Sequence, residues 1–251
     1  MVEADHNYEW GAGMTFETVT IGPCTLYRAD CRELVASGRF AACESIITDP
    51  PYGISHGCNF RSRGRSKLAN CNEYADVIGD DKPFDPAFLI DMGKPLVLWG
   101  GNYFVSRLED SSGWLVWDKL RPDTLDQSTC ELAWTNCVKG CRRFAHLWHG
   151  MMRDSEKGEN HHPMQKPVAL AKWILSLPWI PAGRVGDPYM GAGWVGVASV
   201  LAGREFTGAE ITTEYFDIAC RRIERAWADR CNRLPFDQPE PMKQRDLLET
   251  V

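Results

Sequence analysis

Short apolar, β-rich runs recur along the chain with helix-like stretches between them, and this alternation restricts the fold more than any other feature. The expected strands are Thr25–Arg28, Ser45–Thr48, Leu96–Trp99, Trp114–Trp117, Leu132–Thr135, Phe144–Trp148, Arg184–Gly186 and Glu205–Ala209. The expected helices are Pro86–Asp91, Pro167–Ser176, Val195–Ala202 and Thr213–Asp229. Strands that alternate with helices form a mainly parallel sheet covered on both faces. The expected class is therefore α/β, with a doubly wound, mostly parallel sheet of about seven to eight strands. Ligands of such sheets bind beyond the carboxyl ends of the strands.

The 251 residues, 44% of them hydrophobic, suffice to bury one sizeable core. Residues 1–251 are read as a single domain. Residues 53–80 and 150–162 are read as loop excursions, and residues 235–251 as a loosely held tail. No apolar stretch is long enough to cross a bilayer, and Met1–Trp10 lacks a signal-peptide pattern. A cytoplasmic location and no membrane partner are expected. Ten cysteines are scattered without a CxxC pair, and Cys137 and Cys141 lack companion ligands at zinc spacing. Free thiols and no metal are expected. The net charge of −6 means that contacts with phosphates must come from a local basic patch.

The first chemical motif is Asp49-Pro50-Pro51-Tyr52, directly after the apolar run Ser45–Thr48. Two prolines fix φ and stop the strand in one stiff conformation. Asp49 and the Pro50 carbonyl then offer two acceptors to a substrate NH₂, and Tyr52 offers a flat face to a planar base. The second is Asp187-Pro188-Tyr189-Met190-Gly191-Ala192-Gly193-Trp194, running from a strand into a helix. Its glycines let a ligand lie against the backbone, and Glu210, one strand later, is placed to accept from ribose hydroxyls. A nucleoside without phosphates fits this pattern better than NAD or ATP, because a third glycine and an anion-cradling loop are missing. The third is His162-Pro163-Met164-Gln165-Lys166-Pro167, at a helix start; Lys166 there can hold a carboxylate or simply open the helix.

In this order the three motifs resemble the β-class amino-methyltransferases of DNA, which methylate adenine N6 or cytosine N4 with S-adenosylmethionine. The segments Trp99–Phe104, Trp114–Lys119 and Glu131–Asn136 resemble those of its compact, phage-type members. The resemblance implies a Rossmann-like methyltransferase fold in which the catalytic motif precedes the cofactor motif. It implies that Asp49, Pro50, Pro51 and Tyr52 form the amino-group site. Asp30, Asp187, Pro188, Tyr189, Gly191, Gly193, Trp194 and Glu210 would hold S-adenosylmethionine, with Gln165 and Lys166 near its methionine end. Asp30 reads equally as the N-cap of a helix over Arg32–Ser37. Tyr189 and Trp194 depart from the usual Phe and small hydroxyl residue.

Double-stranded DNA is the implied partner, with the target base flipped out of the duplex, and family members often form homodimers. Asp rather than Ser at position 49 favours adenine N6. Cytosine N4, an RNA or protein amino-methyltransferase, and an inactive DNA-binding relative remain alternatives. Arg61, Arg63, Arg65 and Lys67 are either phosphate contacts or a solvated loop. Arg142 and Arg143, with His146 and the 150–162 segment, are further candidates for contacting DNA. Pro23-Cys24 resembles the nucleophile dipeptide of cytosine-C5 methyltransferases, but it lies before an early strand and reads as an ordinary thiol.

Overall fold

The computed structural model describes residues 5–11, 14–54, 78–122, 124, 128–149, 152–158 and 164–232. Arg61, Arg63, Arg65, Lys67, His162, Pro163 and the 235–251 segment lie outside the described residues. In chain order the elements begin with β1 (Asp5–Gly11), β2 (Met14–Ile21), β3 (Cys24–Arg28), α1 (Cys31–Ala36), β4 (Ser45–Thr48), α2 (Ala87–Ile90) and β5 (Leu96–Trp99). β6 (Trp114–Asp118), β7 (Cys130–Thr135), β8 (Cys141–Ala145), β9 (Trp148–His149) and β10 (Met152–Arg153) come next. The chain then forms α3 (Val168–Ser176), β11 (Val185–Asp187), α4 (Trp194–Leu201), β12 (Phe206–Glu210) and α5 (Thr213–Asn232).

One ten-stranded sheet runs in the order β1-β2-β3-β12-β11-β4-β5-β7-β6-β8. Its centre, β3-β12-β11-β4-β5, is parallel throughout. β7 runs antiparallel to both of its neighbours, β5 and β6, and β8 lies parallel to β6. The sheet is wider than the expected seven to eight strands because the β1–β2 hairpin adds itself antiparallel to the edge of β3. A second difference lies at the opposite edge. The expected strand Phe144–Trp148 is β8 at Cys141–Ala145, and Trp148 belongs to the separate pair β9–β10. An edge strand with exposed Arg142, Arg143 and Ala145 carries no buried apolar run to mark it.

The central strands bury both faces, as crossover helices require. Along β4 and β5 successive side chains alternate. Ile47, Val97 and Trp99 join the layer under α3, α4 and α5, whereas Ile46, Leu96 and Leu98 join the layer under α1 and α2. Helix α1 begins at Asp30, whose carboxylate accepts from the Arg32 amide at 2.8 Å. The 53–80 excursion is closed at its base, where the Gly53 amide donates to Asp80 Oδ1 at 2.8 Å. The decisive neighbours for the site are β4 and β11, parallel and in register Val185↔Ser45 and Gly186↔Ile46. Their carboxyl ends open side by side.

Candidate active site

Asp49 follows β4 at once, and the strand ends there, before the two prolines. The Tyr52 hydroxyl donates to Asp49 Oδ1 at 2.6 Å. Lys166 Nζ donates to Asp49 Oδ2 at 2.6 Å and to the Tyr52 hydroxyl at 3.1 Å. The same ammonium is 2.9 Å from Glu131 Oε2, and Glu131 Oε1 is paired with Lys119. Burial pushes the Asp49 carboxyl above the usual carboxylate range, against the pull of Lys166. Burial works against the Glu131 carboxylate too, but Lys166 and Lys119 outweigh it and bring that group down to about 2. For Lys166 the burial penalty is exceeded by the attraction of Asp49 and Glu131, which holds the ammonium above the lysine range.

The Tyr52 ring is wedged. Tyr103, half-exposed, stacks on it with centroids 4.9 Å apart and planes 17° from parallel. Gly100, at φ +75°, lies so close that a Cβ there would come within 2.1 Å of the ring. Only glycine meets both conditions.

A cavity of about 520 Å³ joins this corner to the ends of β11 and β12, a size common for small-molecule sites. Asp49, Pro50, Pro51 and Tyr52 line it together with Asp30, Gln165, Lys166, Pro188, Tyr189, Gly191, Trp194 and Glu210. Glu210 accepts from the Gly191 amide at 3.1 Å and the Thr212 amide at 2.8 Å, and each oxygen keeps a second lone pair. Gly193, at φ +78°, starts α4. Asp187 is fully buried at the end of β11. Its Oδ1 accepts from the Thr48 hydroxyl at 2.7 Å and the Tyr189 amide at 3.1 Å, while Oδ2 has no hydrogen-bond partner among the described residues. Burial pushes its carboxyl up to about 8. Asp187 and Gly193 are not among the residues that line the cavity, although their neighbours Pro188, Ala192 and Trp194 are. The carboxylates of Glu210 and Asp30 in the lining suit ribose hydroxyls and a cationic ligand, so the residues present fit a charged nucleoside such as S-adenosylmethionine.

Asp30 caps α1 through Oδ1 and also lines the cavity. Lys166, expected near the cofactor's methionine end, lines the cavity, and its ammonium is engaged by the partly buried carboxylates of Asp49 and Glu131. The Gln165 amide reaches Glu156 Oε1 at 3.3 Å. Arg143 is paired with Asp118, and the exposed Arg142 lies over Trp179 at 4.9 Å. His146 is buried, 2.9 Å from the Ser155 hydroxyl. Cys24 is buried within β3, and burial pushes its thiol up to about 12, so it stays protonated and is no nucleophile.

Four site-supporting residues escape sequence reasoning: Lys119, Glu131, Glu156 and Arg222. Glu156, at φ +51°, caps α3 by accepting from the Val168 amide at 2.7 Å. Its other oxygen takes Arg222 Nη2 at 2.5 Å, and Arg222 Nη1 donates to the Ala192 carbonyl at 2.5 Å. Arg222 thus ties the glycine turn to the start of α3. Lys119 and Glu131 lie in segments whose likeness to the family is visible, but their partners are revealed only by the strand order.

A family model described as DNA methylase matches residues 99–221. The DNA adenine methyltransferase YhdJ of Escherichia coli K12 is 39% identical over 66 residues, which are 26% of this chain and 22% of that protein, so the match spans about a fifth of that relative's length. The type II methyltransferase M2.LlaDCHI of Lactococcus lactis subsp. cremoris is 22% identical over 241 residues, covering 80% of this chain and 89% of its own. The solved structure of the PvuII DNA methyltransferase, cytosine-N4-specific, shares the fold with a TM-score of 0.55 at 12% identity, over 84% of this chain and 92% of that one. With its three motifs in family order, the chain is similar to the N6/N4 DNA methylase family over residues 99–221.

Proposed function

We propose that the protein transfers a methyl group from S-adenosylmethionine to adenine N6 in double-stranded DNA, acting on a base flipped out of the duplex. One observation carries the reading: Asp49 and Pro50, at the tip of β4, line the same cavity as Gly191 of the glycine turn after β11. The N6 lone pair is delocalised into the ring, so the amino group is a poor nucleophile. Asp49 and the Pro50 carbonyl, by accepting its two N–H bonds, localise that lone pair on nitrogen. Positioning and electrostatics therefore supply most of the acceleration. When bound, S-adenosylmethionine supplies a methyl group activated by the sulfonium. Glu210 and Asp30 would hold its ribose and adenine end. The Tyr52 hydroxyl keeps Asp49 Oδ1 oriented until the amino group replaces it.

Asp at position 49 and the adenine specificity in the name of YhdJ favour adenine over cytosine. Tritiated methyl transfer to duplex DNA, RNA and protein, followed by nucleoside digestion, tests this directly. N6-methyldeoxyadenosine is the expected product. Label in N4-methyldeoxycytidine would change the base, and label confined to RNA or protein would overturn the acceptor.

Arg222→Met, which frees the Ala192 carbonyl and Glu156 together, is expected to weaken S-adenosylmethionine binding about tenfold, or about 1.4 kcal/mol. Isothermal calorimetry measures this; an unchanged Kd would show that the glycine turn stands without its tether.

A further inference from the structure

Beyond the cavity lining, the buried Lys119 and the partly buried Glu131 continue the line of ion pairs that ends on Asp49. Lys119 follows β6, and Glu131 stands on the adjacent antiparallel β7, paired with Trp117 in the register. Lys166 comes from the segment before α3, and Asp49 from the tip of β4. The contacts run from Lys119 Nζ to Glu131 Oε1, from Glu131 Oε2 to Lys166 Nζ at 2.9 Å, and from Lys166 Nζ to Asp49 Oδ2 at 2.6 Å. The charges alternate along this chain. Side-chain exposures of 10%, 21%, 4% and 15% leave little water to screen them.

We propose that Glu131 and Lys119 are positioning residues that divide the Lys166 ammonium between two carboxylates, and so keep Asp49 a free acceptor for the substrate amino group. This rests on the role given to Asp49 above. A lysine paired with Asp49 alone would occupy the lone pairs that the amino group needs. Glu131 draws the ammonium back, and Lys119 limits how far. The two residues therefore act on Asp49 with opposite sign. Replacing Glu131 by Gln removes both the competitor for Lys166 and a like charge near Asp49, so Asp49 holds its proton less tightly. Replacing Lys119 by Met leaves Glu131 with Lys166 as its remaining close partner, which pulls the ammonium from Asp49; Asp49 then holds its proton more tightly.

Other charged or titratable groups also face these two carboxylates. Tyr52, Lys166, Glu131 and Asp187 bear on Asp49, and Lys119, Lys166 and Arg121 bear on Glu131. All but the residue replaced are constant in each comparison.

The test follows the Asp49 carboxyl by ¹³C NMR titration of the full chain without DNA, alongside the pH profile of kcat/KM for methyl transfer. The acid limb of that profile reports deprotonation of Asp49 in the free protein. Activity is present above the midpoint and lost as pH falls through it. Glu131→Gln should move both midpoints down by about one pH unit, and Lys119→Met should move them up by about one. In the Glu131→Gln background, Lys119→Met should add nothing. In both single variants kcat should fall about tenfold with KM for DNA near that of the wild type. Lys119→Arg keeps the charge and should keep the wild-type midpoint. Midpoints that stay put, move together, or shift equally in Lys119→Arg would overturn the proposal. If Lys119→Met does not fold, the direction of the Glu131→Gln shift decides alone. The titration uses protein free of nucleic acid, so it judges the ion chain even if DNA proves not to be the methyl acceptor.

Discussion

Asp49→Ala is expected to reduce methyl transfer on the order of 10³-fold while S-adenosylmethionine binds as it does to the wild type. The carboxylate is the charged acceptor at the tip of β4, and without it only the Pro50 carbonyl remains to hold the amino group. The cofactor end of the cavity is built from other residues. Glu210 is fixed by the Gly191 and Thr212 amides. The variant does not strand a buried cation, since Lys166 keeps Glu131 as a partner at 2.9 Å. Single-turnover transfer separates chemistry from binding, and calorimetry follows the cofactor. Activity within tenfold of the wild type would remove Asp49 from its assigned role.

Gly100→Ala should show the second largest effect, although Gly100 carries no chemistry. A methyl group there meets the Tyr52 ring at 2.1 Å, and Tyr103 blocks retreat on the stacked side. The backbone at φ +75° adds strain of roughly 1–3 kcal/mol for a non-glycine residue. Displacing the ring withdraws the hydroxyl from Asp49 Oδ1 and loosens the corner that orients the substrate. Transfer should fall on the order of 10²-fold, since small misplacement at a reacting centre costs that much. Gly93→Ala is the control: Gly93 also has positive φ, 62°, but nothing within 4 Å of a new Cβ. It should lose stability through strain alone and keep its activity. Equal losses of activity in the two variants would show that the Tyr52 contact is irrelevant.

The parallel core was legible because its strands are short, apolar and buried on both sides. Ser45–Thr48 and Leu96–Trp99 were readable to the residue, being four-residue runs with every side chain buried. The edges were not. β2 has no clean alternation, since Thr18 is buried beside Val19 within it. In β8, which pairs with β6, the single large apolar residue is Phe144, and its ring stacks on Trp173 at 5.2 Å and on His146 at 5.5 Å. Helix α1 had only its cap as a signal. The motifs announced the cavity-lining residues because each sits at a strand end or a helix start. The ion chain was illegible for a physical reason: Lys166 meets Asp49 across a sequence separation of 117 residues, and only the order of the sheet brings them together.

That order has a bearing on how such chains can be wired. β4 and β11 are hydrogen-bonded neighbours, so the gap between the acceptor corner and the glycine bend is one interstrand step, about 4.8 Å at the strand ends. The gap is set by backbone geometry and is indifferent to which strand the ribosome makes first. Swapping the two halves of the gene would redraw the connections at the far side of the sheet and leave donor and acceptor facing each other as before.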